Sequence, residues 1–348
     1  MCIYYRKGEK MKKIGIIYGG RSTEHDASLK SKETFTNELD KEEFEISQII
    51  FIDRDGSILF NNERIDFGEL INKMKSSKDV FYLNLLHGNE GEDGSWCGVM
   101  DVCDIEGSFE SVNTSSILMN KFEQGCIVEK LCKSIYMPQT VIARKDENLD
   151  VLRNKLEKLE CQNVIIKPNN MGASHFTQKM SRAKIEEILK FICKVFEYDN
   201  EVLIQEFIQG EEYTCGVIRH KEQILALPII HVQTNTEFLG HKEKHTHGSA
   251  IIDFDKFEET ELVSIVSKEL FEIFNIIGMC RFDFLIDRKQ NKIFFLEGNL
   301  LPGFSSGSAF PRMLKAANIS ISEFMNDLIE SYNKKNKRNK FLPYNIED

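Results

Sequence analysis

The sequence is short of most features that would take it out of the class of ordinary globular proteins. It has 6 Pro and 21 Gly in 348 residues, with 41% of positions apolar, so collagen-like, low-complexity and disordered chains are excluded. No uninterrupted apolar run approaches the roughly 20 residues that a membrane helix needs. Residues 1–12 are polar and basic with no apolar stretch behind them, which argues against a signal peptide. The 9 Cys, from Cys2 to Cys280, include no CxxC pair and no Cys/His cluster. Neither a zinc site nor a disulfide framework is therefore expected, and reduced thiols in a cytoplasm fit best. Positive charge is also in deficit: 45 basic against 55 acidic residues give a net charge of -10. Bulk attraction to nucleic acid or to an anionic membrane is excluded, though a local basic pocket for phosphate is still allowed.

What is present is length and periodicity. A chain of this size predicts two or three domains at about 100 to 200 residues each. Residues 13–18 form a β-branched run that stops at Gly19-Gly20, and a helical pattern follows over 26–37. Further apolar runs at 44–52 and 80–86 flank a helical stretch at 67–74, which predicts a parallel sheet with covering helices. After Gly107 the pattern changes. Residues 117–132 read as one helix and 164–167 as a strand, followed by closely spaced strands at 201–206, 212–219 and 223–230 that suggest antiparallel pairing. A long amphipathic helix at 255–275 and strands at 279–286 and 292–297 complete an α+β pattern, and the basic tail at 334–340 reads as a solvated helix end. The expected boundaries are 1–107, 108–206 and 207–340, with a tail at 341–348.

Three clusters carry candidate chemistry. Arg281 and Asp283 share one face of a strand by alternation, as do Glu297 and Asn299, while Phe282 and Phe284 face the core. Adjacent strands would bring the four polar groups together. Two carboxylates and an amide oxygen are the hard donors Mg²⁺ takes from protein when phosphates and water complete its shell, and Arg281 beside them would stabilise a phosphoryl group. An ordinary surface salt bridge is the competing reading. Second, the strand ending in Lys167 runs into a loop containing Gly172, whose amides could approach phosphate oxygens. A Walker loop is absent, and Gly19-Gly20 lacks the full dinucleotide fingerprint. Third, the loop from His87 to Gly94 follows a strand directly, where the crevice beyond parallel strands collects functional groups. His87 alone reads more readily as a packing histidine than as a catalytic one.

Taken together, these pieces resemble the D-alanine:D-alanine ligase family of the ATP-grasp superfamily. The resemblance rests on Gly19-Gly20-Arg21-Ser22-Thr23-Glu24-His25-Asp26-Ala27-Ser28, the loop from His87 to Gly94, Met119-Asn120-Lys121 and Ile166-Lys167-Pro168, then Arg281-Phe282-Asp283, Glu297-Gly298-Asn299 and Pro302-Gly303-Phe304-Ser305-Ser306. It implies a three-domain enzyme with an N-terminal α/β domain and ATP clamped between the central and C-terminal domains. It also implies phosphorylation of a first D-amino acid's carboxylate and attack by the amine of a second. Asp283, Glu297 and Asn299 would hold Mg²⁺ or Mn²⁺, with Lys121 and Lys167 on the phosphates. Gln205, Glu206, Phe207 and Ile208 would form the adenine hinge, with Glu212 on the ribose. Glu24 would meet the first substrate's ammonium, Arg281 and the Gly303 amide the oxyanion, and Ser308 the second substrate's carboxylate. His87, His241, Lys244 and His245 would lie in the substrate region. A homodimer acting on small D-amino or D-hydroxy acids is the implied assembly and partner class.

The sequence also departs from the family. After Lys-Pro the family runs Gly-Ser-Ser-x-Gly, whereas this chain has Gly172-Ala173-Ser174-His175-Phe176, losing a hydroxyl and a glycine. A family Lys-Tyr pair aligns with Lys244-His245, and Ala309 stands where a larger apolar residue is usual. The spacing of Phe238 to Glu243 around His241 resembles the D-alanine:D-lactate ligases, in which a cationic histidine repels an ammonium acceptor. The principal expectation is a D-alanine:D-alanine ligase. Altered acceptor choice, or an ATP-binding homologue without turnover, are the alternatives.

Overall fold

A computed structural model of the chain describes residues 11–234, 250–254 and 260–335. Strand β1 (Lys12–Gly19) is an interior strand of the first sheet, flanked in parallel by β2 (Phe44–Ile52) and β5 (Val80–Asn84). Two short strands, β3 (Ile58–Phe60) and β4 (Glu63–Ile65), extend this sheet antiparallel, so it is mixed rather than purely parallel. The reason is local. Asn61 and Asn62 adopt left-handed backbones that reverse the chain within two residues, too tight for a parallel crossover. Helices α1 (His25–Glu38), α2 (Phe67–Ser76) and α3 (Ser95–Val102) belong to the same unit. An Asp66/Glu69 capping box starts α2, whose Leu70 and Met74, one turn apart, are buried.

The single helix expected at 117–132 is two, α4 (Val112–Met119) and α5 (Lys121–Leu131). Asn120 divides them: its backbone leaves the helical region (φ -90, ψ 101) and its side chain accepts from Glu123 N at 2.9 Å, capping the second helix. The smaller sheet runs in the order β6 (Thr140–Arg144), β9 (Glu201–Glu206), β7 (Asn163–Pro168), β8 (Gln178–Ser181), all antiparallel. Helices α6 (Leu149–Glu157) and α7 (Ile185–Val195) bury Leu152, Leu156, Ile188 and Ile192 against its Val164, Ile166, Val202 and Ile204.

The largest sheet centres on β10 (Glu211–His220), paired with β14 (Met279–Asp287), which in turn pairs with β15 (Lys292–Asn299). On the other side, β11 (Gln223–Ala226) and β12 (Ile230–Thr234) pair with β10, and β13 (Ala250–Asp253) with β12. The strand expected at 223–230 is thus two strands on either side of the break at Leu227–Ile229. Helix α8 (Thr260–Ile273) buries Val263, Val266, Leu270 and Phe271 with Phe282, Phe284 and Phe295, as strand alternation predicts. Leu118, Val128 and Cys132 from the α4–α5 region join the same core. Helices α9 (Ala309–Ala316) and α10 (Ile321–Lys335) share a core with the first sheet, where Phe35 meets Phe304 at 4.8 Å between ring centres. This shared core fixes the first sheet relative to the largest one. Among the described residues no helix is long and apolar enough to cross a membrane.

Candidate active site

The β14–β15 ladder sets Asp283 opposite Glu297 and Arg281 opposite Asn299. Between Asp283 and Phe284 the register shifts, because Phe284 pairs with Phe295 and leaves Leu296 as an extra residue. A bulge of this kind re-aims side chains. Here it lets the consecutive residues Leu296 and Glu297 both line a cleft of about 450 Å³, which strict alternation would forbid. Asp283 is buried on a strand interior to the sheet, which rules out the surface salt bridge considered for it. Its Oδ1 accepts from Thr214 Oγ1 at 2.6 Å and Arg281 Nε at 2.9 Å. Its Oδ2 accepts from Arg281 Nη2 at 2.7 Å and Asn299 Nδ2 at 3.3 Å. Burial alone would lower the Arg281 pKa, but the Asp283 charge and hydrogen bonds, backed by Glu297 and Glu212, hold it above the ordinary arginine value. The bidentate grip uses Nε and Nη2 and leaves Nη1 for another oxyanion.

Lys121, at the start of α5, stands 3.4 Å from Glu297 Oε2 and donates to the Met171 carbonyl at 2.8 Å. The expected phosphate lysine therefore sits directly against an expected metal ligand. Among the described residues no three His, Cys, Asp or Glu side chains form a metal cluster, so an ion here would take its third protein donor from the Asn299 amide. The donor chemistry fits Mg²⁺: two facing carboxylates with one amide are hard oxygens, and the Lys121 ammonium beside Glu297 shows that the pair favours a cation. The 3.3 Å contact from Asn299 to Asp283 is the longest and weakest of the four that Asp283 accepts.

The opposite wall of the cleft is the hinge between β9 and β10. Gln205, Glu206, Phe207, Ile208 and Glu212 all line it, as do Lys167, Ile165, Leu285 and His231. The Glu206 and Phe207 N–H groups are committed to the Gln139 and Asn163 carbonyls at 2.8 and 2.9 Å. Of these hinge amides, Ile208 N–H donates to no group among the described residues, so the structure narrows the backbone donor open to a ligand to that one. Apolar Ile165, Leu285 and Leu296 give the cleft flat, dry walls. Sequence reasoning missed them, although alternation from Asp283 pointed to Leu285.

Glu24 begins α1 and lies against the loop that follows β7. A β-carbon built on Gly172 would come within 2.4 Å of Glu24 Oε2 and one on Gly88 within 2.9 Å, so a side chain at 172 would displace the Glu24 carboxylate, while Gly88 also has a left-handed φ of 75°. Glu24 thus joins the second and third candidate clusters, and Lys121, against Glu297 and the Met171 carbonyl, ties the first to the second. In the departing loop, Ala173, Ser174 and Phe176 all have left-handed φ of 53°. Phe176, where the family has glycine, thus keeps the glycine-like backbone, and its ring stacks on Tyr198 at 4.5 Å.

His87 is buried. Its Nδ1 faces the Leu301 carbonyl at 3.0 Å and therefore carries the proton, so Nε2 accepts from Ser31 Oγ at 2.8 Å. Ser31 Oγ also accepts from Phe304 N at 3.2 Å, so one ring of contacts holds both flanks of Pro302-Gly303. Burial pushes the His87 pKa down to about 4, the Leu301 carbonyl opposing it and the Arg281 charge adding to it. Glu92 accepts from Gly88 N and Leu301 N, and burial together with the Glu24 charge raises its pKa above the carboxylate range. Gly303 lies against Ser308, whose Oγ would be 3.1 Å from a β-carbon on the glycine. Ser308 is the N-cap of α9, yet its hydroxyl contacts Ser305 Oγ at 2.7 Å instead of capping the helix. His241, Lys244 and His245 lie outside the described residues.

A cleft with a nucleotide-sized interior, a strand-pair of carboxylates and a half-buried arginine suits an ATP-dependent ligase, and comparison with known proteins agrees. Family models described as D-ala D-ala ligase N-terminus and C-terminus match residues 13–108 and 132–330. A D-alanine–D-alanine ligase B of Clostridium perfringens is 32% identical, the alignment covering 93% of this chain and all of the relative. A D-alanine–D-alanine ligase from Bacillus anthracis solved with ATP superposes with a TM-score of 0.73 at 28% identity, over 94% of this chain and 99% of that one. The VanG D-Ala:D-Ser ligase from Enterococcus faecalis shares the fold, with a TM-score of 0.78 at 24% identity over 93% of this chain and 100% of its own. With Lys121, Lys167, Glu212, Asp283, Glu297 and the hinge residues lining one cleft and relatives matching along nearly the whole length, the chain belongs to the D-alanine–D-alanine ligase family.

Proposed function

We propose that the protein joins D-alanine to a second D-alanine for peptidoglycan, using ATP and Mg²⁺, as a three-domain enzyme with boundaries near 107 and 206. The observation that carries this reading is the polar face of β14 and β15, where Asp283 and Glu297 line the cleft opposite the hinge and Arg281 and Asn299 are hydrogen-bonded to Asp283. Ile208 N–H and the apolar walls bind the base, Glu212 accepts from the ribose hydroxyls, and Lys121 and Lys167 hold phosphates. Asp283, Glu297 and Asn299 would hold the ion, which when bound neutralises charge on the phosphates.

The remaining residues act on the amino acids. Glu24 takes the ammonium of the first D-alanine. The carboxylate oxygen of that D-alanine displaces ADP from the γ-phosphorus, giving an acylphosphate with a good leaving group. The amine of the second substrate then attacks the carbonyl carbon, phosphate leaves, and the amine gives up a proton. Arg281 Nη1 and the Gly303 amide stabilise the oxyanion, and the His87–Ser31 contacts hold the Gly303 segment still while it does so. Ser308 and the α9 N-terminus receive the second carboxylate. The Glu24–Gly172 contact covers the intermediate against water.

We place the enzyme in the cytoplasm, where ATP is supplied, as a homodimer. Ala309, the small residue beside Ser308, favours a second reading in which another D-amino acid or D-lactate is the acceptor. Phosphate release from ATP should depend on D-alanine and vanish in an Asp283→Ala/Glu297→Ala double variant. Release independent of D-alanine, or undiminished in that variant, would overturn the proposal, and product analysis with mixed acceptors separates the two readings.

A further inference from the structure

At the hinge end of the cleft the fold decides how one amide is turned. Gln205 lies on β9 between β6 and β7, is 6% exposed and lines the cleft. Its Nε2 is 3.0 Å from Thr140 Oγ1, and that hydroxyl donates to the Pro138 carbonyl at 2.8 Å. A carbonyl can only accept, so the single hydroxyl proton is committed to Pro138. Toward Gln205 the hydroxyl then offers lone pairs alone. The amide must turn its NH₂ to Thr140, an orientation that follows from the hydrogen-bond logic rather than from telling nitrogen and oxygen apart. Gln205 Oε1 has no hydrogen-bond partner among the described residues and is the atom left for a ligand. At the hinge the Gln205 amide therefore presents Oε1 as an acceptor and Ile208 its N–H as a donor, with the Glu206 carboxylate also lining the cleft.

Resting on the reading of this cleft as the nucleotide site, we propose that Thr140 is a positioning residue for base selectivity: by orienting Gln205 it makes the hinge accept adenine and refuse guanine. Adenine offers an amino donor at C6 and an acceptor at N1, complementary to that pair. Guanine offers an oxo acceptor and an N–H donor, so both contacts would set like against like and leave buried polar groups unpaired. A glutamine without Thr140 would not discriminate, because its amide can turn over to suit either base. A carboxylate at the same position would need no such partner, since it only accepts.

The test is nucleotide binding without turnover: ATP and GTP competing with a fluorescent ATP analogue, with Mg²⁺ present and no D-alanine. Thr140→Val, close in shape but unable to accept, should lower the ATP-to-GTP affinity ratio about tenfold, mostly through tighter GTP binding. Thr140→Ser should restore the ratio. Gln205→Glu in the Thr140→Val background should restore it as well, a rescue that a merely structural role for Thr140 would not give. An unchanged ratio in Thr140→Val with ATP still bound overturns this inference and leaves the ligase reading standing. An equal loss of ATP and GTP without rescue by Gln205→Glu overturns it too. A wild-type protein that binds neither nucleotide would overturn the ligase reading along with it.

Discussion

Glu24 and Gly172, 148 positions apart in the chain, approach so closely that a single β-carbon on Gly172 would lie 2.4 Å from the Glu24 carboxylate. The contact joins the start of α1 to the loop after β7, where the proposed function places the first substrate. Gly172→Ala should push Glu24 off its position. Steady-state kinetics at saturating ATP are expected to show kcat/KM for the first D-alanine falling at least about tenfold, with the melting temperature nearly unchanged. A variant with normal D-alanine kinetics would mean that Glu24 does not meet the first substrate.

Asp283 neutralises Arg281 through two hydrogen bonds. Asp283→Asn removes the charge while keeping the shape, leaving a largely desolvated guanidinium without its strongest partner. The expected cost is about 3 kcal/mol in urea unfolding, together with loss of D-alanine-dependent ATP turnover. Full stability with activity lost would assign Asp283 to catalysis alone.

His87 predicts an acid limb in stability. Its pKa is about 4 in the folded protein and 6.5 unfolded. Between those values the unfolded chain binds more protons, so stability falls as pH drops from about 6.5 to about 4 and is fully present above 6.5. The limit for one such group is about 3 kcal/mol. His87→Gln should flatten this limb in denaturation curves taken across that range; a variant curve as steep as the wild type would assign the limb to other groups.

Phe176 holds a left-handed backbone where glycine is the easier choice. Phe176→Ala loses the Tyr198 stack and keeps the strain, whereas Phe176→Gly loses the stack and relieves it. Chemical denaturation should therefore find the alanine variant less stable than the glycine variant by about 1 kcal/mol. The opposite order would show that the backbone there is unstrained.

Much of the fold was legible in local pattern. The run at 44–52 is β2 and the run at 201–206 is β9 to the residue, because apolar periodicity and turn residues act over a few neighbours. The alternation of Arg281 and Asp283 with Phe282 and Phe284 likewise placed one face in the cleft and the other in the core. Where local signals competed, the reading failed. Asn120 looked like one residue of a long helix, but its side chain satisfies the next helix's amide better than it continues the previous one.

The sequence by itself determined which residue types stand where: the acidic and amide donors on successive strands, the glycine at 172 and the lysines at 121 and 167. Only the tertiary structure decided the rest. The bulge at Leu296 turns Glu297 into the cleft beside its neighbour, because register is a property of two strands and not of one. The Thr140 hydroxyl orients Gln205, and the Ser31 hydroxyl connects His87 to Phe304, since hydrogen-bond direction is settled by partners that are 65, 56 and 273 positions distant in sequence.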